Sequence, residues 1–255
     1  MTGFTTPANN GLKKIVTKAA GEITVSGGTL VDEEAGDSVT IKQFGYINEG
    51  TTLTSYNIEK TYADLTTDLA LLVGMAPSGM GLTIPQDGVV TVNFDFMGVS
   101  EDSITASNGN GYNEATTTPI FTARDLAAAL EDQESMGIVD LSFKLNNNLR
   151  TRLECGSAGV ASLGSGNVEL TGTLTAYYKS KTLYDKFVDE TATSIAAHLA
   201  DTAGNRYVFE FPQVKLTGGQ RVAGGPNADV MAEMQWEAEM DSAEGVMMRI
   251  ARLAA

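Results

Sequence analysis

The sequence predicts a mainly β protein, and three observations predict it. Apolar and polar residues alternate with a period of two over most of the chain, the pattern of strands with one buried face. Turn-forming residues punctuate these runs, and apolar stripes at helical spacing are few and short. With 42% hydrophobic and only 19% charged residues, the 255 residues can fill a sizeable core, unlike a disordered chain. One elaborated domain over residues 1–255 is expected, because β sandwiches and barrels of this length often do not divide. It carries an N-terminal arm over about residues 1–50 and an inserted loop and short-helix region over about residues 98–136.

Taken in chain order, Gly27-Gly28 to Asp37 is acidic, glycine-bearing and expected to be flexible. Thr61 to Leu72 suits a helix through Tyr62, Leu65, Leu69 and Leu72, or a buried strand through Leu71-Leu72-Val73. Pro85-Gln86-Asp87-Gly88 makes a hairpin of Leu82 to Ile84 and the run beyond, where Val90, Val92, Phe94 and Phe96 alternate with Thr91, Asn93 and Asp95. Ser107 to Pro119, with two Asn-Gly pairs, is a loop. Thr122 and Asp125 form a capping-box pattern ahead of Leu126, Ala129 and Leu130, which predicts a short helix.

Val139, Leu141, Phe143 and Leu145 form the apolar side of another strand. In the run from Val168 to Tyr178, Gly172 marks a bulge or a close backbone approach. Leu183, Tyr184, Phe187 and Val188 predict a second short helix lying on a sheet. Ala203-Gly204-Asn205 joins Ile195 to Leu199 with a strand beginning at Tyr207, which Pro212 is expected to interrupt before Val214 and Leu216. Gly218 to Asn227 is glycine-rich and reads as a loop for contacts between subunits, with Gly218, Gly219, Gly224 and Gly225 as its candidate residues. Val230, Ala232, Met234, Trp236, Ala238 and Met240 then share one strand face, opposite Glu233, Gln235, Glu237, Glu239 and Asp241. A final strand from Val246 to about Leu253 is expected to pair back on this one.

The same residues exclude several functions. Thirty-two acidic against 17 basic residues leave a formal charge of -15, which repels phosphates and anionic membranes. No segment has the apolar length of a membrane-spanning helix, and no secretion signal opens the chain, so a protein made in the cytosol is expected. Cys155 has no partner for a disulfide or a metal site and is expected to be an inert thiol packed as a small hydrophobe. His198, the one histidine, lies in no catalytic pattern, and the glycine-rich Gly156 to Gly166 stretch lacks the lysine of a phosphate loop. Acidic groups such as Asp32-Glu33-Glu34, Glu131-Asp132 and Glu237 with Glu239 lack calcium-loop spacing, and no aromatic sugar platform accompanies them. No cofactor, metal or catalytic residue is therefore expected.

Asn147-Asn148-Leu149, Gly164-Ser165-Gly166-Asn167-Val168-Glu169-Leu170-Thr171-Gly172-Thr173-Leu174 and Leu183-Tyr184-Asp185-Lys186-Phe187 occur in an order that resembles the tail tube proteins of long-tailed bacteriophages. Gly204-Asn205-Arg206-Tyr207, Phe211-Pro212-Gln213-Val214-Lys215-Leu216, and Asp229-Val230-Met231 leading to Trp236-Glu237-Ala238 continue it. Val73-Gly74-Met75 and Pro85 to Gly98 resemble the preceding hairpin, so the likeness spans most of the chain after about Leu71.

The resemblance implies a β sandwich with a flanking short helix, six copies closing into a ring with a continuous inner β-barrel, and rings stacked into a tail tube. It also implies a virion protein assembled in the host cytoplasm, with tape measure, tail terminator and tail tip proteins as partners and DNA in transient passage. Glu233, Glu237, Glu239 and Asp241 are the candidate lumen-facing residues, since an acidic wall would let duplex DNA slide where a basic wall would hold it. The alternatives are the inner-tube subunit of a contractile tail or secretion injector, and a carbohydrate-binding β-sandwich module. A single tryptophan and the missing secretion signal weigh against the last.

Overall fold

The computed structural model describes residues 1–254 apart from 27–29, 35–37, 63, 66–67, 110, 112 and 157. The segment expected to be flexible, Gly27 to Asp37, lies partly outside the described residues. The N-terminal residues make a small unit of their own. A 3-10 turn at Pro7–Asn9 precedes a hairpin of β1 (Lys14–Ala19) and β2 (Glu22–Ser26). The buried side chain of Asn9 ties the unit together, donating to the Val31 carbonyl at 2.7 Å and accepting from the Val31 N–H at 2.9 Å. Among the described residues this hairpin is a separate two-stranded sheet.

After β3 (Gly45–Asn48) and β4 (Tyr56–Lys60), the long β5 (Leu69–Ile84) turns at Pro85 to Gly88 into β6 (Thr91–Met97) and β7 (Ser100–Ile104). The ambiguous apolar run is thus a strand, because β4 and β7 flank Leu69 to Val73 and satisfy its backbone on both sides. Next come β8 (Leu126–Glu131), β9 (Glu134–Ser135), β10 (Ile138–Asn146), the hairpin of β11 (Arg150–Leu153) and β12 (Val160–Gly164), and β13 (Glu169–Tyr177). The helix α1 (Thr182–Val188), β14 (Thr193–Ala200), β15 (Arg206–Ala223), β16 (Val230–Ala238) and β17 (Arg249–Leu253) complete the chain.

Apart from the separate pairs β1-β2 and β11-β12, these strands build two antiparallel sheets joined through β15, neither closed on itself, with β4 and β7 beside the first part of β5. The first runs β6-β5-β10-β13-β16-β15 and the second β9-β8-β14-β15-β17-β3. The strand β15 belongs to both: Arg206 to Glu210 pair with β17, and Val214 to Ala223 pair with β16. The two sheets meet over Leu141, Phe143, Leu170, Leu174, Ile195, Leu199, Phe211, Met234 and Trp236, all buried. Aromatic rings lock the layers, with Phe143 at 5.0 Å from Phe211 and Phe211 at 4.8 Å from Trp236, the spacing of tilted and edge-to-face pairs. Gly172 is a close backbone approach and not a bulge, since it pairs in register with Phe143 and Trp236 and lies against the indole.

Where the structure departs from the sequence reading, tertiary pairing is the cause. Thr122 and Asp125 do form a capping box, with the Thr122 N–H donating to Asp125 Oδ2 at 2.7 Å, but it closes only the 3-10 turn Ala123–Asp125. The residues Leu126 to Glu131 are a strand, because pairing with β14 and β9 overrides the helix preference of their alanines. Pro212 does not interrupt β15. It sits at the bulge opposite β14, between the last pair with β17 and the first with β16, where no ladder bond requires its missing N–H. The final strand pairs with β15 and β3, and not with Val230 to Asp241. Cys155 is exposed at the turn between β11 and β12, not packed as a hydrophobe. The helix α1 forms where expected and is pinned by Lys186, whose ammonium meets Glu131 of β8 at 2.5 Å.

Candidate functional site

The first sheet has one face against the core and one open polar face. Alternation along each strand places Thr91, Asn93 and Asp95 of β6, Ser142 and Lys144 of β10, and Thr171, Thr173 and Thr175 of β13 on the open side. Glu233, Gln235 and Glu237 of β16 share that face with Lys215 and Gln220 of β15. Part of it is a shallow trough of about 830 Å³. The face is a lattice of short hydroxyls, such as the Ser142 and Thr173 pair at 2.8 Å, with carboxylates and two lysines set among them. Burial pushes the Asp140 carboxyl above its ordinary range.

The four acidic candidates are not equivalent. Glu233 and Glu237 lie on the open face, Glu233 accepting from Gln220 Nε2 at 2.5 Å. Glu239 follows the end of β16 and is engaged on both oxygens, by Lys215 Nζ at 2.9 Å and by Gln213 Nε2 at 2.9 Å. The Lys215 ammonium, then Gln213, hold its carboxyl below the usual range, and Glu239 raises Lys215 in turn. Asp241 leaves the strand altogether. Its Oδ1 accepts from the Ala243 and Glu244 N–H groups at 2.8 and 2.7 Å, closing a turn. Alternation carries the stripe past the point where pairing stops: Asp241 lies beyond the end of β16, in a turn and not on the strand.

The glycine candidates are corrected in the same way. Gly218 and Gly219 are not loop residues; they pair with Gln235 and Met234 inside β15, and Gly219 lies against Met234 and Phe187. Only Gly224 and Gly225 lie in the turn before β16.

The edges of this sheet escaped the sequence reading. On one side β6 carries Val92, Phe94 and Phe96 on its core-side face, yet the second sheet stops short of them and Phe94 remains 60% exposed. On the other side Gly218 to Ala223 of β15 have β16 as their only ladder partner among the described residues. There α1 covers the core-side face, with Arg221 stacked 4.5 Å over the Tyr184 ring. Period-two alternation did signal Phe94 and Phe96 as apolar, but it cannot say that nothing within the chain covers them.

The buried His198 meets Phe44 edge-on at 6.3 Å, and burial, followed by the Arg206 charge, pulls its imidazole down to about 4. Among the described residues no group of three or more His, Cys, Asp and Glu is placed to hold a metal ion, and no helix is long and apolar enough to cross a membrane.

An unpaired strand edge and an uncovered apolar patch are the marks of a surface that meets a partner. The model of the phage tail tube protein family matches residues 1–238, and the chain belongs to that family. It is a structural component of a phage tail. The match begins at the first residue and takes in the N-terminal arm, beyond the segments after Leu71 that carried the resemblance. No curated protein matches the chain significantly.

Proposed function

We propose that six copies pair edge to edge into a ring, that rings stack into the tail tube, and that the polar face of the first sheet lines the bore through which DNA leaves. The observation that carries this is the complementarity of the two free edges. Six antiparallel strands place β6 and the outer half of β15 in opposite directions. Rotation of one copy onto the next therefore sets β6 beside β15 as a further antiparallel pair, and head-to-tail contacts that close by rotation make rings. The same rotation brings the uncovered Phe94 and Phe96 toward the neighbour's α1, which already roofs its own β15 edge.

A bore lined with threonine, serine, glutamine and carboxylates offers phosphate few cationic holds, and Lys215 is occupied by Glu239. The subunit itself needs no catalysis and no cofactor. The partners that follow are a tape measure protein in the bore and terminator and tip proteins at the ends. Negative-stain images of concentrated protein test the reading: sixfold rings or tubes are expected, and a protein that stays monomeric under all assembly conditions overturns it.

A further inference from the structure

A half-open cleft of about 640 Å³ lies between the N-terminal hairpin and the outer face of the second sheet. Ile15, Ile23 and Val25 of β1 and β2 wall it on one side, and Ala196, Val208 and Ala251 of the sheet wall it on the other. Its volume is that of small-molecule sites, which measure about 300–1,000 Å³ and are mostly apolar. The charge of its lining opposes that of the chain. Lys13, Lys14, Lys18, Lys42, Arg206 and Arg249 border it against two carboxylates, Glu22 and Glu210, in a protein of formal charge -15. Lys14 and Arg249 are engaged with Glu210 and Glu244, whereas Lys18, Lys42 and Arg206 make no ion pair among the described residues. Lys18 and Lys42 are exposed, and Arg206 is half-buried.

A buried polar atom points the same way. Alternation puts His198 on the face that carries Ala196, Arg206 and Val208. The residue is 6% exposed, and Nε2 of its imidazole has no hydrogen-bond partner among the described residues. Arg206 lies close enough for its charge to act on that ring. A buried polar atom left unpaired costs stability, and an anion held by Arg206 brings an acceptor toward it.

We propose that this cleft binds a long-chain carboxylate, its head group on Arg206 and its hydrocarbon chain between the hairpin and the sheet. One negative charge answers the cationic surplus, and a single unbranched chain suits a slot with apolar walls on two sides. A cationic amphiphile lacks the first match, and a short anion such as acetate lacks the second.

Calorimetric titration of the full chain with saturated carboxylates from octanoate to tetradecanoate, each below its micellar concentration, tests this. One molecule should bind per chain, and each added methylene should tighten binding about fourfold, the transfer free energy of a buried CH₂ expressed as a ratio. Decyltrimethylammonium should bind about tenfold more weakly than decanoate, and Arg206→Gln should weaken decanoate about tenfold while keeping the methylene increment. A photoreactive dodecanoate, which needs no substitution, should label β1, β2 and β14 of the wild-type protein. The site is overturned by absence of binding, by an ammonium that binds as well as the carboxylate, or by affinity independent of chain length. Label confined to the apolar edge at Phe94 overturns it too. None of these outcomes bears on the ring reading.

Discussion

Replacing Gly172 by alanine tests the innermost contact of the fold. A Cβ built at this position lies 2.2 Å from Trp236 Cζ2, 2.4 Å from Cε2 and 2.5 Å from the Ser142 carbonyl oxygen. Ordinary contact begins at 3.4 Å, so one partner must retreat by more than an ångström. The indole has no room, because Trp236 is 1% exposed and Phe211 stands against it at 4.8 Å. The Ser142 carbonyl is backbone of β10, which pairs residue by residue with β13 and β5 and cannot move without breaking ladders on both sides. Overpacking of a tight core costs about 1–3 kcal/mol and sometimes more. Gly→Ala alone would return about 0.4–1 kcal/mol through the unfolded chain. With two rigid obstacles the cost lies at the upper end, and the net loss should be about 2 kcal/mol. Urea unfolding followed by the emission of Trp236, the single tryptophan, measures it directly. A red shift of the native emission should accompany the lower midpoint. A variant within about 0.5 kcal/mol of the wild type with unchanged emission refutes the packing argument.

His198 makes stability depend on pH. Its folded pKa of about 4 lies below the ordinary 6.5, so the unfolded chain binds the proton more readily, and stability is lost as pH falls from 6.5 toward 4. After allowance for solvent screening the loss is on the order of 2 kcal/mol. His198→Phe should flatten the midpoint profile over that window, and superimposable profiles would dismiss this role. Phe94→Asp with Phe96→Asp should leave the melting temperature nearly unchanged, because both side chains are exposed, while abolishing rings in negative stain; tubes of normal length would remove β6 from the interface. Glu233→Lys with Glu237→Lys should preserve tubes yet slow DNA ejection several-fold, most at low salt where attraction to phosphate is least screened. Ejection at the wild-type rate from intact mutant virions would place that face outside the bore.

The strands that build the sandwich were legible because each has one buried face. Leu141 with Phe143, Leu170 with Leu174, and Met234 with Trp236 all point inward as period-two alternation requires. The helix at Leu183 to Phe187 and the hairpin turn at Gly204 were legible for equally local reasons. What escaped depended on distant neighbours. The run Leu126-Ala127-Ala128-Ala129-Leu130 has helical composition and becomes a strand only because β14 lies beside it. Gly218 and Gly219 have no strand propensity, and Met234 and Gln235 across the ladder hold them extended. On the polar face, the sequence marked Glu233 and Glu237 but could not show that Glu239 is neutralised by Lys215 or that Asp241 closes a turn. The exposure of Phe94 was not legible either, because alternation reports polarity and not cover.

The strand β15, continuous from Arg206 to Ala223, also governs how the subunit carries load. Its first half is woven into the second sheet and its second half into the first, so force applied to one sheet travels to the other along covalent backbone. Pulling the layers apart would require shearing many ladder bonds together instead of peeling weak side-chain contacts one at a time. The two sheets should therefore yield as one cooperative unit, with a single calorimetric transition and no partly opened wall. In the proposed tube, that would leave the seams between subunits as the compliant joints and each wall block stiff between them.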